Sequence, residues 1–131
     1  SAALRRMIEA ILTDGPVTLD WTAAEAAWEP GAAKLSLNMV LLGREALPRG
    51  GRLTLAAEPR HLTVTAEGVG AAGGEVSSGL GATSEAALTP RSVLAYHAAL
   101  LARGLDCRLT VDERPGRVTL FAAFAAKILN N

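Results

Sequence analysis

A single cysteine, Cys107, leaves this chain no internal disulfide and fits a reducing compartment. Aromatic residues are almost as scarce, with two Trp, two Phe and one Tyr. A core must therefore be built mainly from Leu, Val and Ala. Neither sign of charge is in excess, because thirteen basic and thirteen acidic residues cancel. Such a chain exerts no long-range pull on nucleic acid or on an anionic membrane, so neither is an expected partner. No apolar run reaches the roughly 18 residues of a membrane span, and the opening residues lack a signal-peptide pattern. The cytoplasm is the expected location. Metal-ligand spacing is missing too: His97 and Cys107 stand alone. Thr83, Ser84 and Glu85 share a loop without a paired base, which indicates no nucleophile. The expectation is no catalytic residue, no metal and no cofactor.

What is present is half hydrophobic and one-fifth charged over 131 residues, enough for one ordered domain spanning 1–131. Leu4, Met7, Ile8, Ile11 and Leu12 recur at helical spacing over 2–12, and Gly15-Pro16 stops that run. Residues 17–21 alternate as a short strand. Residues 22–30 form a connection anchored by Trp28. A long buried helix is predicted over 31–47, with Leu35, Met39, Leu42 and Ala46 as its stripe, ended by Pro48-Arg49-Gly50-Gly51. Strands at 52–57 and 61–66 form a hairpin closed by Glu58-Pro59-Arg60. Residues 67–87, with glycines at 68, 70, 73, 74, 79 and 81, read as a mobile loop.

Thr89-Pro90 marks the start of a further helix, with Val93, Leu94, His97, Leu100 and Leu101 facing inward and Gly104 as its cap. Strands at 107–112 and 117–121 close on Arg114-Pro115-Gly116, and 122–131 either extends the last strand or turns helical. The order gives an α+β fold: a two-layer α/β sandwich whose five-stranded, mixed and largely antiparallel sheet carries its helices on one face.

This order resembles the Bergerat fold shared by histidine kinases, Hsp90-type chaperones, DNA gyrase and MutL. In kinases one helix reads Asn-x-x-x-Asn-Ala-x-Glu/Lys-Ala-x-Pro-x-Gly-Gly, and its second Asn holds the magnesium on the ATP phosphates. Here the segment is Asn38-Met-Val-Leu-Leu42-Gly-Arg-Glu-Ala-Leu-Pro48-Arg-Gly-Gly51. Asn38 takes the first Asn position, and Glu45, Ala46, Pro48, Gly50 and Gly51 match. The metal position falls on Leu42, which has no lone pair for a hard cation. The family's Asp-x-Gly-x-Gly, whose Asp receives the adenine amino group, reads here Ala66-Glu67-Gly68-Val69-Gly70. The glycines persist and the Asp position is Ala66. Glu67, one residue on, points to the opposite face of a strand. The resemblance therefore implies an ATP site that has lost its ligands.

A narrower likeness covers nearly the whole chain. The segments 34–51 and 88–103 together resemble the C-terminal domain of the alphaproteobacterial histidine phosphotransferase ChpT family. That resemblance implies a helical hairpin, dimerising as a four-helix bundle, ahead of this domain. Its histidine would take a phosphoryl group from a hybrid-kinase receiver and pass it to response-regulator receivers. No such histidine helix lies in 1–131, so the chain is expected to be the C-terminal domain alone, with 2–12 emerging from the bundle. Receiver domains are the expected partners, and homodimerisation is expected through the bundle. The alternatives are an ATP-binding kinase or ATPase domain, or an anti-sigma-like regulator, with unusual nucleotide ligands.

Among single residues, His97 is expected to be partly buried and His61 to face solvent. Arg44, Arg49, Arg52 and Arg60 are expected to cluster at one end of the long helix and first hairpin. There they would serve as ordinary solubilising charge or as a docking surface for an acidic receiver.

Overall fold

A glutamate followed by a proline opens the first described helix. Glu29 has extended backbone, its carboxylate accepts the Ala32 amide at 3.0 Å, and Pro30 occupies the first turn where no N–H is needed. The computed structural model describes residues 6, 17–21, 27–72 and 92–130. Its elements are β1 (Val17–Trp21), β2 (Ala27–Trp28), α1 (Pro30–Glu45), β3 (Gly51–Glu58) and β4 (His61–Glu67). They continue with α2 (Val93–Gly104), β5 (Cys107–Arg114), β6 (Arg117–Phe124) and β7 (Leu129–Asn130). The opening helix apart from Arg6, the loop beyond Ala72 and the Thr89-Pro90 start lie outside the described residues.

The five-stranded sheet runs β1-β3-β4-β6-β5. β1 is parallel to β3 and every other pairing is antiparallel, which is the expected mixed α+β architecture with helices on one face. Alternation sorts its side chains. Leu53, Leu55, Leu62, Val64, Ala66, Val118, Leu120 and Ala122 turn into the core, whereas Arg52, Glu58, His61, Glu67 and Arg117 are exposed on the other face. From α1, Leu35, Met39, Val40, Leu42 and Ala46 fill the same core. The buried Ser36 hydroxyl satisfies itself on the Ala33 carbonyl at 2.7 Å. Helix and sheet approach closely at Gly43, where a Cβ would lie 2.7 Å from Leu53 Cδ2 and 3.0 Å from Val64 Cγ1.

Several expectations are corrected. The inward face of α2 is the alanine stripe Ala95, Ala98, Ala99 and Ala102, with Leu94 and Leu101 half-buried beside it. Val93, His97 and Leu100 are exposed. Periodicity weighted by large residues misplaced this face, because small side chains suit a helix packed closely on its neighbours. Gly104 is the last helical residue rather than the cap: Leu105 caps, and Asp106 takes the positive φ of 53°. Asp adopts that region more readily than most residues. The connection through Trp28 contains a short strand, and β2 pairs antiparallel with β7 beyond the end of β6. Glu29 N donates to Ile128 O at 2.8 Å and Ile128 N to Pro59 O at 2.7 Å, which ties this ribbon to the body.

At the other end of the sheet, two glycine segments pack backbone to backbone. Gly51 has φ +144°, and a Cβ there would run into the Glu67 carbonyl; one on Gly68 would meet the Gly50 carbonyl. Gly70 also has positive φ (+77°), with nothing within 4 Å of its would-be Cβ. Gly70→Ala should therefore cost only the left-handed backbone penalty, about 1–2 kcal/mol. Gly51→Ala adds a backbone collision and should cost about 2 kcal/mol more, read as a lower urea midpoint at unchanged slope.

Candidate functional site

Of the positions singled out in α1 and β4, Leu42 and Ala66 share the core cluster and Asn38 does not. Asn38, half-buried, directs its amide Nδ2 to the Lys34 carbonyl at 2.9 Å, a bond within its own helix. One turn on, Leu42 is 1% exposed, and beneath the same stretch of helix Ala66 is also 1% exposed. Both belong to the continuous core cluster. Ala66 pairs in register with Leu53 on one side and Val118 on the other, so hydrocarbon flanks it along the sheet. Glu67 lies exposed on the opposite face, opposite Arg52 and Arg117.

The strand then turns back over the end of α1. Gly68 N donates to Gly116 O at 3.0 Å, Ala71 N to Gly68 O at 3.2 Å, and Ala72 N to Ala46 O at 3.0 Å. The backbone after β4 is thus held down on the C-terminal end of α1. Gly70 is exposed beside it. Tested as a cradle for a magnesium nucleotide, this set does not fit. The metal position offers a leucine where oxygen is needed, and the base position offers a methyl group where a carboxylate is needed. Among the described residues no group of three His, Cys, Asp or Glu is placed to hold a metal.

The arginines divide. Arg44, in the last turn of α1, Arg49 in the following turn and Arg52 at the start of β3 lie at one end of the sandwich and are exposed. Arg52 Nε sits 3.4 Å from Asp20 Oδ2 in an exposed pair, which adds little stability. Arg60 occupies the turn at the far end of the β3–β4 hairpin, about 20 Å along the strand from Arg52. It does not join the cluster expected of it, because the hairpin runs the length of the sheet before reversing.

His97 is exposed, with Tyr96 edge-on to its ring at 6.2 Å, and the expected partial burial fails because the alanines take the inner face. His61 faces solvent as expected and stacks on Phe121, ring centroids 5.3 Å apart. Sequence reading missed the close approach at Gly43. The available signal was a lone glycine inside an otherwise apolar helical run.

Comparison with known proteins places these features. A family model, the histidine phosphotransferase C-terminal domain, matches residues 1–117. The chain belongs to that family. This phosphotransferase domain also matches a solved structure of a bacterial phosphotransferase, at 21% identity and a TM-score of 0.75, covering 92% of this chain and 62% of that one. The histidine kinase AdeS of Acinetobacter baumannii matches at 12% identity and a TM-score of 0.53, covering 99% of this chain and 65% of that one. The chain thus spans less than two-thirds of either relative's length. At such identities the likeness is one of fold, and it bears out the α+β sandwich of Bergerat type. No curated protein matches the chain.

The Cys107 thiol borders a shallow depression of about 520 Å³ lined by Arg103, Asp106, Cys107, Arg108, Ala123, Phe124 and Ala125. Burial pushes the Cys107 thiol up from 9.0 to about 11. It is therefore protonated at neutral pH and a poor nucleophile despite the nearby arginines. Iodoacetamide at pH 7.5 should modify the folded domain at least about tenfold more slowly than the urea-unfolded chain, by mass spectrometry. Because the folded pKa lies above the unfolded one, the thiol's contribution to stability is complete below pH 9 and is lost as pH rises toward about 11.

Proposed function

We propose that the chain is the C-terminal domain of a ChpT-like histidine phosphotransferase and binds no ATP. On this reading residues 1–131 form one degenerate kinase-like domain that follows a helical bundle. The bundle carries the phosphorylated histidine and makes the homodimer. Phosphoryl groups pass between the receiver of a hybrid histidine kinase and the receivers of response regulators, in the cytoplasm. This domain does no bond chemistry. It orients the bundle and supplies part of the surface on which receivers dock, so its contribution is positioning.

The observation that carries the reading is the burial of Leu42 and Ala66 in the hydrocarbon core, at the positions where a kinase of this fold would grip metal and base. Arg44, Arg49 and Arg52, at the end of α1 and the start of β3, support a docking role for that end of the sandwich. A receiver's phosphorylation site is rich in carboxylates, and a group of exposed guanidinium ions speeds and orients such an encounter. Arg60, at the opposite end, could serve such a surface only separately.

Thermal melting with and without millimolar Mg-ATP tests the reading against an ATP-binding kinase, ATPase or anti-sigma-like domain. A nucleotide present at about 100 times its Kd would stabilise the fold by about 2.7 kcal/mol, a rise on the order of 5 °C or more for a domain of this size. The expected shift is under about 1 °C. A rise of several degrees would assign the domain to nucleotide binding instead.

A further inference from the structure

β5 ends the sheet, and among the described residues only β6 pairs with it. Its free edge has a readable polarity. The two-residue turn Pro115–Gly116 makes Arg114 and Arg117 the closing, hydrogen-bonded pair of the β5–β6 hairpin. Counting back from that pair, even-numbered residues of β5 give their amides and carbonyls to β6. The odd-numbered Cys107, Leu109, Val111 and Glu113 then point theirs out of the sheet. An eight-residue strand with such an edge is a template for another strand.

We propose that this edge pairs antiparallel with β5 of a second copy, about a two-fold axis perpendicular to the sheet at Thr110. The argument is charge register. Outward-pointing groups can meet only outward-pointing groups, so odd residues must face odd and even face even. With Thr110 opposite itself, Arg108 faces the partner's Asp112 and Asp112 faces the partner's Arg108. Leu109 and Val111 face each other twice on the helix side. The shift that centres Val111 on itself sets Arg108 against the partner's Arg114 on both sides and Leu109 against Glu113. Like charges directly opposite are repulsive in a sheet. The shift that centres Leu109 on itself retains only residues 107–111 of each strand and forms no opposite-charge pair.

Charges on edge strands ordinarily block association. Here Arg108 and Arg114 oppose the register centred on Val111, and of the three registers only the one centred on Thr110 sets Arg108 against Asp112. Arg108, Thr110, Asp112 and Arg114 are all exposed. Asp112 already accepts Arg114 Nε at 3.2 Å, and a carboxylate has a second oxygen for another guanidinium. The contact is isologous and closes as a dimer. It joins the sheets of two domains at a place separate from the seam around Leu42.

Sedimentation equilibrium of the 131-residue chain, taken up to about 1 mM, tests this in the range of weak interfaces. The chain should show a monomer–dimer equilibrium that Asp112→Arg weakens by about tenfold or more, since two attractive pairs become repulsive. The double swap Arg108→Asp/Asp112→Arg should restore the affinity to within roughly threefold. On a Cys107→Ser background, Thr110→Cys should oxidise to a symmetric dimer far faster than the control Thr18→Cys, also at an exposed strand position. A chain that stays monomeric throughout, or a dimer that ignores Asp112→Arg or is not restored by the swap, would overturn the proposal. A Thr110→Cys variant that cross-links no faster than the control would overturn the register.

Discussion

Everything in this domain rests on the apolar seam between α1 and the β3–β4 hairpin. Gly43 lets the helix settle onto Leu53 and Val64, and Leu42 and Ala66 belong to the same core cluster. Leu42, Leu53, Val64 and Ala66 are all buried, so any polar group placed there would have to bring its own partner. The seam also sets the end of the sandwich. With α1 fixed, Ala46 offers its carbonyl to Ala72, and the glycines at 50, 51 and 68 allow the two returning backbones to touch. Core packing and the shape of the candidate site are therefore the same set of contacts.

A sandwich of this type can be put to use without a nucleotide. With Leu42 and Ala66 in the core, the polar groups lie elsewhere: guanidinium groups beyond the end of α1, a threonine-rich second sheet face, and an edge of β5 that pairs with nothing among the described residues. The nucleophilic candidates are quiet. The Cys107 thiol is held protonated by burial, and His97 stands exposed on α2, in no group of three His, Cys, Asp or Glu among the described residues. On the proposed reading, the domain acts by presenting surfaces and by holding the geometry of the molecule around it.

Much of this could be read from residue order. Alternation in 52–57, 61–66 and 107–121 placed the hairpins, because a sheet buried on one side imposes period two on its sequence. The buried stripe of α1 was legible from Leu35 to Ala46 for the same reason at period 3.6. α2 was harder. Its inner face is alanine, the residue with least contrast on any hydrophobic scale, and its larger apolar residues Val93 and Leu100 face outward. The β2–β7 ribbon was invisible because two-residue strands carry no period. The site showed the same division. The identity of Leu42 and Ala66 was evident from the motif, whereas the separation of Arg60 from Arg44, Arg49 and Arg52 depended on where a hairpin turns in space.

Position 42 offers the most direct check. If its side chain is core, Leu42→Met should cost under about 1.5 kcal/mol, since the volume is kept and nothing polar enters. Leu42→Asn should cost about 3 kcal/mol or more, from lost apolar burial plus an amide without partners. Urea denaturation of the two variants gives the comparison. An asparagine tolerated as well as methionine would mean that the position opens onto a wet cavity, and the account of a filled seam would be wrong.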